Sequence, residues 1–335
     1  MSVRATVLIP TFDHGATLRY SVASVLQQTV ADIEVLIVGD GMPPQAAAAA
    51  REVAASDGRV QLFEFAKGPR HGEIHRHEVL QHARGPIVCY HSDDNLMLPT
   101  HVERMEQLLE QADLAHAPLL MVAPDATITP VVCDLQLPFY RSHILTSTNR
   151  VSLSSMAHTL AAYRRLPHGW RTTPPGTPTD QYMLQQFLAE PWVRAVSGTT
   201  PTTLHFGSPE RTNLTHEQRL EELARWSARL RDPEFPHELA ARAFAALLQQ
   251  AAVLEAHHVT DHQLTQAQLR ATQQFGREAE QLFRQSQRDG RALAAALAAL
   301  ERELARRIRS RSRLAQRLLQ VRLVRSAVDQ LRSWR

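Results

Sequence analysis

The chain has 335 residues, 44% hydrophobic and 21% charged, and 37 Lys and Arg against 34 Asp and Glu leave a net charge of only +3. This is the composition of an ordinary globular protein with room for two domains, and no uninterrupted apolar run approaches the roughly 20 residues of a membrane-crossing helix. Two cysteines, Cys89 and Cys133, exclude a disulfide framework, and the first ten residues lack the apolar stretch of a secretory signal, so a cytoplasmic location is expected.

In chain order, residues 3–9 read as a buried strand, 15–28 as a helix, 33–38 as a strand, 45–56 as a helix and 60–65 as a strand. Helix 71–84, strand 86–90, helix 100–112 and strand 119–123 follow. Strands interleaved with helices predict an α/β fold with a mainly parallel sheet, in which ligands bind at the carboxyl ends of the strands.

All 19 prolines lie at or before Pro236, and beyond it only Gly276 and Gly290 interrupt helical sequence. Leu293, Leu297, Leu300, Leu304 and Ile308 form a seam for a partner helix, so a long, coiled-coil-like helical extension is expected. The expected layout is a globular domain over 1–215, a linker or helix over 216–236, and the extension over 237–335. Residues 301–335 carry 11 Arg against Glu301, Glu303 and Asp329. Such a segment suits either homo-oligomerisation or peripheral contact with an anionic membrane. Nucleic acid is not expected as a partner, because aromatics are 6% of the chain and no nucleic-acid module pattern occurs.

The first strand leads into a helix without G-x-G-x-x-G or a P-loop, so neither a dinucleotide fingerprint nor a Walker-type site is present. The second strand ends in Gly39-Asp40-Gly41, an acid flanked by glycines that can approach a base or ribose closely. The fourth strand ends in His91-Ser92-Asp93-Asp94-Asn95, where adjacent carboxylates repel unless a cation or donors offset them, and a hard divalent ion bridging phosphates would do so. Asp180 in Pro178-Thr179-Asp180-Gln181 reads equally as an acid in a helix's first turn. His71, His75, His77 and His82 lack zinc-site spacing beyond one i, i+4 pair, and Tyr163 and Trp170 read as core or as an acceptor groove.

Val7-Leu8-Ile9-Pro10-Thr11-Phe12, Ser24-Val25-Leu26-Gln27-Gln28-Thr29, Glu34 to Gly41, and Ser92-Asp93-Asp94-Asn95 with Pro99 together resemble family 2 glycosyltransferases over about residues 3–215. The resemblance implies a GT-A fold and inverting transfer of a sugar from a nucleotide diphosphate donor, a UDP-sugar, to a hydroxyl of a glycan or lipid-linked acceptor, as in cell-envelope polysaccharide synthesis. It implies nucleotide-sugar contacts at Pro10, Thr11, Asp40, Arg76 and Asp93, Mn²⁺ or Mg²⁺ on Asp94 and His205, and Asp180 as the base that takes the acceptor proton. Gly39 stands where the family usually has a first acid, and Ser92 where it commonly has the first Asp of its metal motif. Those departures favour the alternative, a catalytically inactive sugar-binding or assembly module acting through its helical tail.

Overall fold

The computed structural model describes residues 2–146 and 150–286. β1 (Ala5–Thr11), α1 (Gly15–Leu26), β2 (Ile33–Asp40), α2 (Pro44–Ala55), β3 (Val60–Phe65), α3 (Glu73–Leu80) and β4 (Ile87–Tyr90) alternate as the sequence predicts. β1 pairs in parallel with β2 on one side, Val7 opposite Val35, and with β4 on the other, Val7 opposite Cys89. These strands are apolar on both faces because helices cover both. Val7, Ile9, Val35 and Ile37 pack with Leu18, Val22 and Val25 of α1. Leu8, Leu36 and Tyr90 pack on the opposite face with Val79 and Leu80 of α3.

Short elements follow: β5 (Leu96–Met97), α4 (His101–Leu109), β6 (Leu114–His116), β7 (Leu119–Val122), β8 (Ile128–Val131), α5 (Pro138–Thr146), β9 (Met156–Thr159) and α6 (Leu160–Arg165). Beyond them lie α7 (Thr179–Leu188), β10 (Ala195–Ser197), β11 (Thr203–His205), α8 (His216–Arg229) and α9 (Phe235–Ser286). The main sheet has the order β10-β6-β9-β4-β1-β2-β3, parallel except for β9, which runs antiparallel between β4 and β6. A second sheet, β5-β11-β7-β8, carries the end of the globular chain. Because β2 lies to one side of β1 and β4 to the other, the carboxyl ends of these strands form a switch point, the place where open α/β sheets bind ligands.

The chain divides into two units, Met1–Ala251 and Ala252–Arg335. The expected boundary at 215 falls too early. Leu223 and Trp226 of α8 and Phe235, Leu239 and Ala243 of α9 are buried with Leu96, Leu120, Leu204 and Phe206, so residues 216–243 complete the core over the second sheet instead of linking two domains. Arg211 and Glu222 fasten α8 there through a buried bidentate ion pair, both contacts 2.7 Å.

Phe244 and Leu248 of the first unit are exposed on α9, as are Val253 and Leu254 of the second. Phe235–His257 is long and apolar enough to cross a membrane by length and composition. The apolar seam at 293–308 and the basic segment 301–335 lie outside the described residues.

Candidate active site

The loop after β4 is held from below by α1, which explains the Ser24 to Thr29 motif. Ser24 Oγ accepts from Met97 N (2.9 Å), Gln28 Nε2 donates to Leu98 O (2.8 Å), and Gln28 Oε1 accepts from Val102 N (2.9 Å). Ser21 Oγ donates to Ser92 O, and the Thr29 amide donates to Pro99 O. Ser92 is tied to Ser154, whose Oγ accepts from the Ser92 amide and donates to Ser92 Oγ. With its backbone bonded at both ends, this loop presents Asp93 and Asp94 at a fixed height above the sheet.

Both acids carry protein donors. His14 Nδ1 donates to Asp93 Oδ1 (3.2 Å), and this hydrogen bond raises the His14 pKa. Arg219 Nη2 donates to Asp94 Oδ2 (2.8 Å), as does Ser208 Oγ (3.0 Å). Arg219 Nη2 also reaches Ser208 Oγ (3.1 Å), and its Nη1 lies 3.2 Å from His14 Nε2. Burial, with Asp93 adding repulsion, pushes the Asp94 pKa up.

Asp40, at the tip of β2, accepts from Lys67 Nζ and from the Gly68 amide, both at 2.6 Å. Gly72, at φ +65°, has no room for a Cβ, which would overlap the Asp40 carboxyl carbon, so the chain passes over the acid only as glycine.

Arg76, on α3, is buried. It stacks over Trp170 (4.8 Å to the ring centre) and donates from Nη2 to His71 O, while its Nε has no hydrogen-bond partner among the described residues. Burial lowers its pKa, opposed by Glu73, Tyr90, Asp180 and Asp40. Thr179 Oγ1 donates to Glu73 Oε1 (3.0 Å), which pins the start of α7 to the start of α3 and so sets Asp180 relative to Arg76. Asp180 is half-buried, with Oδ1 accepting from the Gln181 amide.

His205, at the end of β11, lies within electrostatic range of both Asp94 and Asp180, although burial lowers its pKa. Asn95 Oδ1 accepts from the Phe206 amide (2.9 Å), which orients its amide group so that Nδ2 faces His205 Nδ1 at 3.0 Å. Nδ1 is therefore the acceptor, and the proton of the neutral ring sits on Nε2. In that tautomer His205 offers a donor and not the lone pair that a metal ligand needs. Asp94 does fit an ion: Oδ2 is engaged, and no described residue hydrogen-bonds to Oδ1. Among the described residues no three His, Cys, Asp or Glu gather as a metal-holding group.

Asp40 and Asp180 both act electrostatically on Arg76, and Asp94 and Asp180 both act on His205. Pro10 and Thr11 end β1, and Thr11 Oγ1 is buried with no hydrogen-bond partner among the described residues. His14, Lys67, Ser208 and Arg219 carry no pattern by which the sequence would single them out. Arg219 lies 125 residues from Asp94. The capping box of Thr215 and Gln218 marks the start of its helix but not where that helix docks.

Of the remaining candidates, His75 approaches the site, its Nε2 3.6 Å from Asp40 Oδ1. His75 stacks on Phe65 (4.3 Å), His82 on Phe63, and His77 bonds to Tyr163, so the four histidines do not converge. Tyr163 and Trp170 are core residues whose edges border a pocket of about 470 Å³ with His77, Gln81 and His168.

Residues 6–165 match the family model for glycosyl transferase family 2. Over 109 residues the chain is 25% identical to the uncharacterized glycosyltransferase EpsJ of Bacillus subtilis (strain 168), a match covering 32% of this chain and 31% of that relative's length. Among solved structures, S. aureus TarS 1-349 in complex with UDP-GlcNAc aligns with TM-score 0.48 and 14% identity, over 70% of this chain and 69% of that one. Mannosyltransferase PcManGT from Pyrobaculum calidifontis, in complex with GDP-Man and Mn²⁺, aligns with TM-score 0.45 and 16% identity, over 76% and 81%.

Proposed function

Because residues 6–165 are a glycosyl transferase family 2 domain, we propose that this chain transfers a sugar, with inversion, from a nucleotide diphosphate donor to a hydroxyl of a glycan or lipid-linked acceptor in cell-envelope synthesis. Supporting this reading, Asp40 at the end of β2 and Asp94 after β4 flank the carboxyl end of β1, each held by protein donors, while the charges of Asp40 and Asp180 act on Arg76 and those of Asp94 and Asp180 on His205. A solvated surface acid needs no such partners.

Asp40 and Asp93 are assigned to a UDP nucleoside, with Pro10 and Thr11 beneath it. Asp40 is held ready by Lys67 and Gly68, which yield hydrogen-bonding capacity to a base or ribose. Arg76 Nε, buried and without a partner among the described residues, is assigned as a donor to an acceptor on the substrate. His205 Nε2–H is assigned as a donor toward the diphosphate. Asp94 Oδ1 would hold Mn²⁺ or Mg²⁺, which when bound supplies charge stabilisation to the departing diphosphate. Asp180 takes the proton of the acceptor hydroxyl as that oxygen attacks the anomeric carbon from the face opposite the leaving group. Such a base typically contributes about 10²- to 10⁴-fold.

The extension is assigned to self-association or to peripheral contact with an anionic membrane. Light scattering and vesicle flotation of the full chain separate these two.

A second reading, a catalytically silent binding module, draws on the fact that Asp40 and Asp94 are already paired with Lys67 and Arg219. Incubation with a panel of UDP- and GDP-sugars, with and without Mn²⁺, decides between them. An enzyme hydrolyses at least one donor slowly and loses that activity on Asp94→Ala; a silent module releases no nucleotide from any.

A further inference from the structure

Arg219 stands outside the family match, on α8, yet its guanidinium reaches the centre of the site. Its side chain is only 13% exposed and touches three groups at once: Asp94 Oδ2 at 2.8 Å, Ser208 Oγ at 3.1 Å and His14 Nε2 at 3.2 Å. His14 in turn donates to Asp93. One guanidinium therefore reaches both acids of the β4 loop, Asp94 directly and Asp93 through the His14 ring.

A guanidinium has five N–H groups in a rigid planar fork. Three contacts account for three of them, which leaves two donors with no partner among the described residues. The same contacts turn Asp94 so that Oδ2 faces the protein and Oδ1 receives no hydrogen bond from the described residues. The arrangement is costly to build, since it needs the buried Arg211–Glu222 pair to seat α8 and Arg211 Nη2 donating to Val122 O (2.7 Å). A surface arginine neutralising an acid would need neither.

We propose that Arg219 is a diphosphate-binding residue: its two uncommitted N–H groups donate to phosphate oxygens of the nucleotide, while the other three keep Asp94 and His14 in place. This rests on the nucleotide-sugar reading of the site. It adds to that reading a cation belonging to the protein itself, so that the diphosphate is held in part without a divalent ion.

The test is binding of UDP and GDP by calorimetry to the full chain in excess chelator and again in Mn²⁺, comparing wild type with Arg219→Gln and Arg219→Lys. Uridine and guanosine binding by ligand-observed NMR serves as the phosphate-free control, and circular dichroism checks that both variants fold. Wild type should bind one nucleotide in chelator, and Arg219→Gln should weaken that binding about 10- to 100-fold, as expected for the loss of hydrogen bonds to a charged group, with nucleoside binding, which depends on Arg219 only through His14 and Asp93, weakened by no more than about threefold. Arg219→Lys should fall between, because a point charge cannot hold Asp94, Ser208, His14 and a phosphate together. Equal diphosphate binding by wild type and Arg219→Gln overturns the proposal and leaves the enzyme reading intact. So does a wild type that binds nucleotide only with Mn²⁺, or a variant that loses nucleoside and diphosphate alike. A wild type that binds neither nucleotide under either condition overturns both.

Discussion

Arg211 and Glu222 form a bidentate ion pair with side chains 1% and 6% exposed, so neither charge can turn to water when the other is removed. Glu222→Ala should therefore destabilise the globular unit by about 3–5 kcal/mol. The double change Arg211→Met with Glu222→Leu should cost less than the single one, since no charge is then left buried. Urea unfolding monitored by tryptophan fluorescence measures both. A single variant within about 0.5 kcal/mol of wild type would show that the pair does not seat α8.

Gln28 shows how a polar residue in a helix serves the site two loops away. It is buried and bonded to Leu98 O and Val102 N, so Gln28→Leu leaves a backbone acceptor and a donor without partners. The expected loss is about 1–3 kcal/mol for each group left unsatisfied. Turnover should fall with stability, because the strand-to-helix segment carrying Asp93 and Asp94 loosens. Full activity with unchanged unfolding would contradict this.

Gly72→Ala places a side chain at φ +65° and against the Asp40 carboxyl carbon. The backbone conformation alone costs about 1–2 kcal/mol, and displacement of Asp40 should weaken nucleotide binding. Gly58, whose Cβ would meet nothing within 4 Å, is the control, and Gly58→Ala should change neither property. Calorimetric titration with UDP compares the two variants, and equal affinities would separate Asp40 from the nucleotide.

Four histidines are buried in the neutral form: the pKa of His91 is lowered to about 3, and those of His101, His116 and His158 to about 4, in each case chiefly by burial. In the unfolded chain they take up protons below about pH 6.5. The unfolded state therefore binds more protons, and stability present above that pH is lost as pH falls toward 4. The loss is up to about 1.4 kcal/mol per pH unit for each histidine. Urea midpoints measured from pH 7.5 to 5 should drop progressively, and a flat profile would mean that these rings are hydrated.

The alternation of strands and helices through β4 was legible because β1, β2 and β4 are apolar or buried on both faces and the helices between them run eight residues or more. Asp40, Asp93 and Asp94 were legible for a related reason, standing at the ends of such strands. The short strands β6, β9 and β10 have three or four residues each, too few to show a period, and the antiparallel insertion of β9 depends on pairing across more than 60 residues. Arg219 and Ser208 reach Asp94 only through tertiary docking of α8, which no local pattern encodes. His205 was visible as a residue type, but its tautomer is set by Asn95 and the Phe206 amide, a relation only the folded chain displays.

The most direct measurement is single-turnover sugar release from the accepted donor by wild type and Asp180→Asn, with donor affinity determined alongside. With Asp180 assigned to the acceptor and not to the nucleotide, the variant should keep its donor Kd within about twofold while the chemical step slows by at least about 100-fold. A variant that turns over at the wild-type rate would remove Asp180 from the chemistry, and with it the convergence of three aspartates on one reaction.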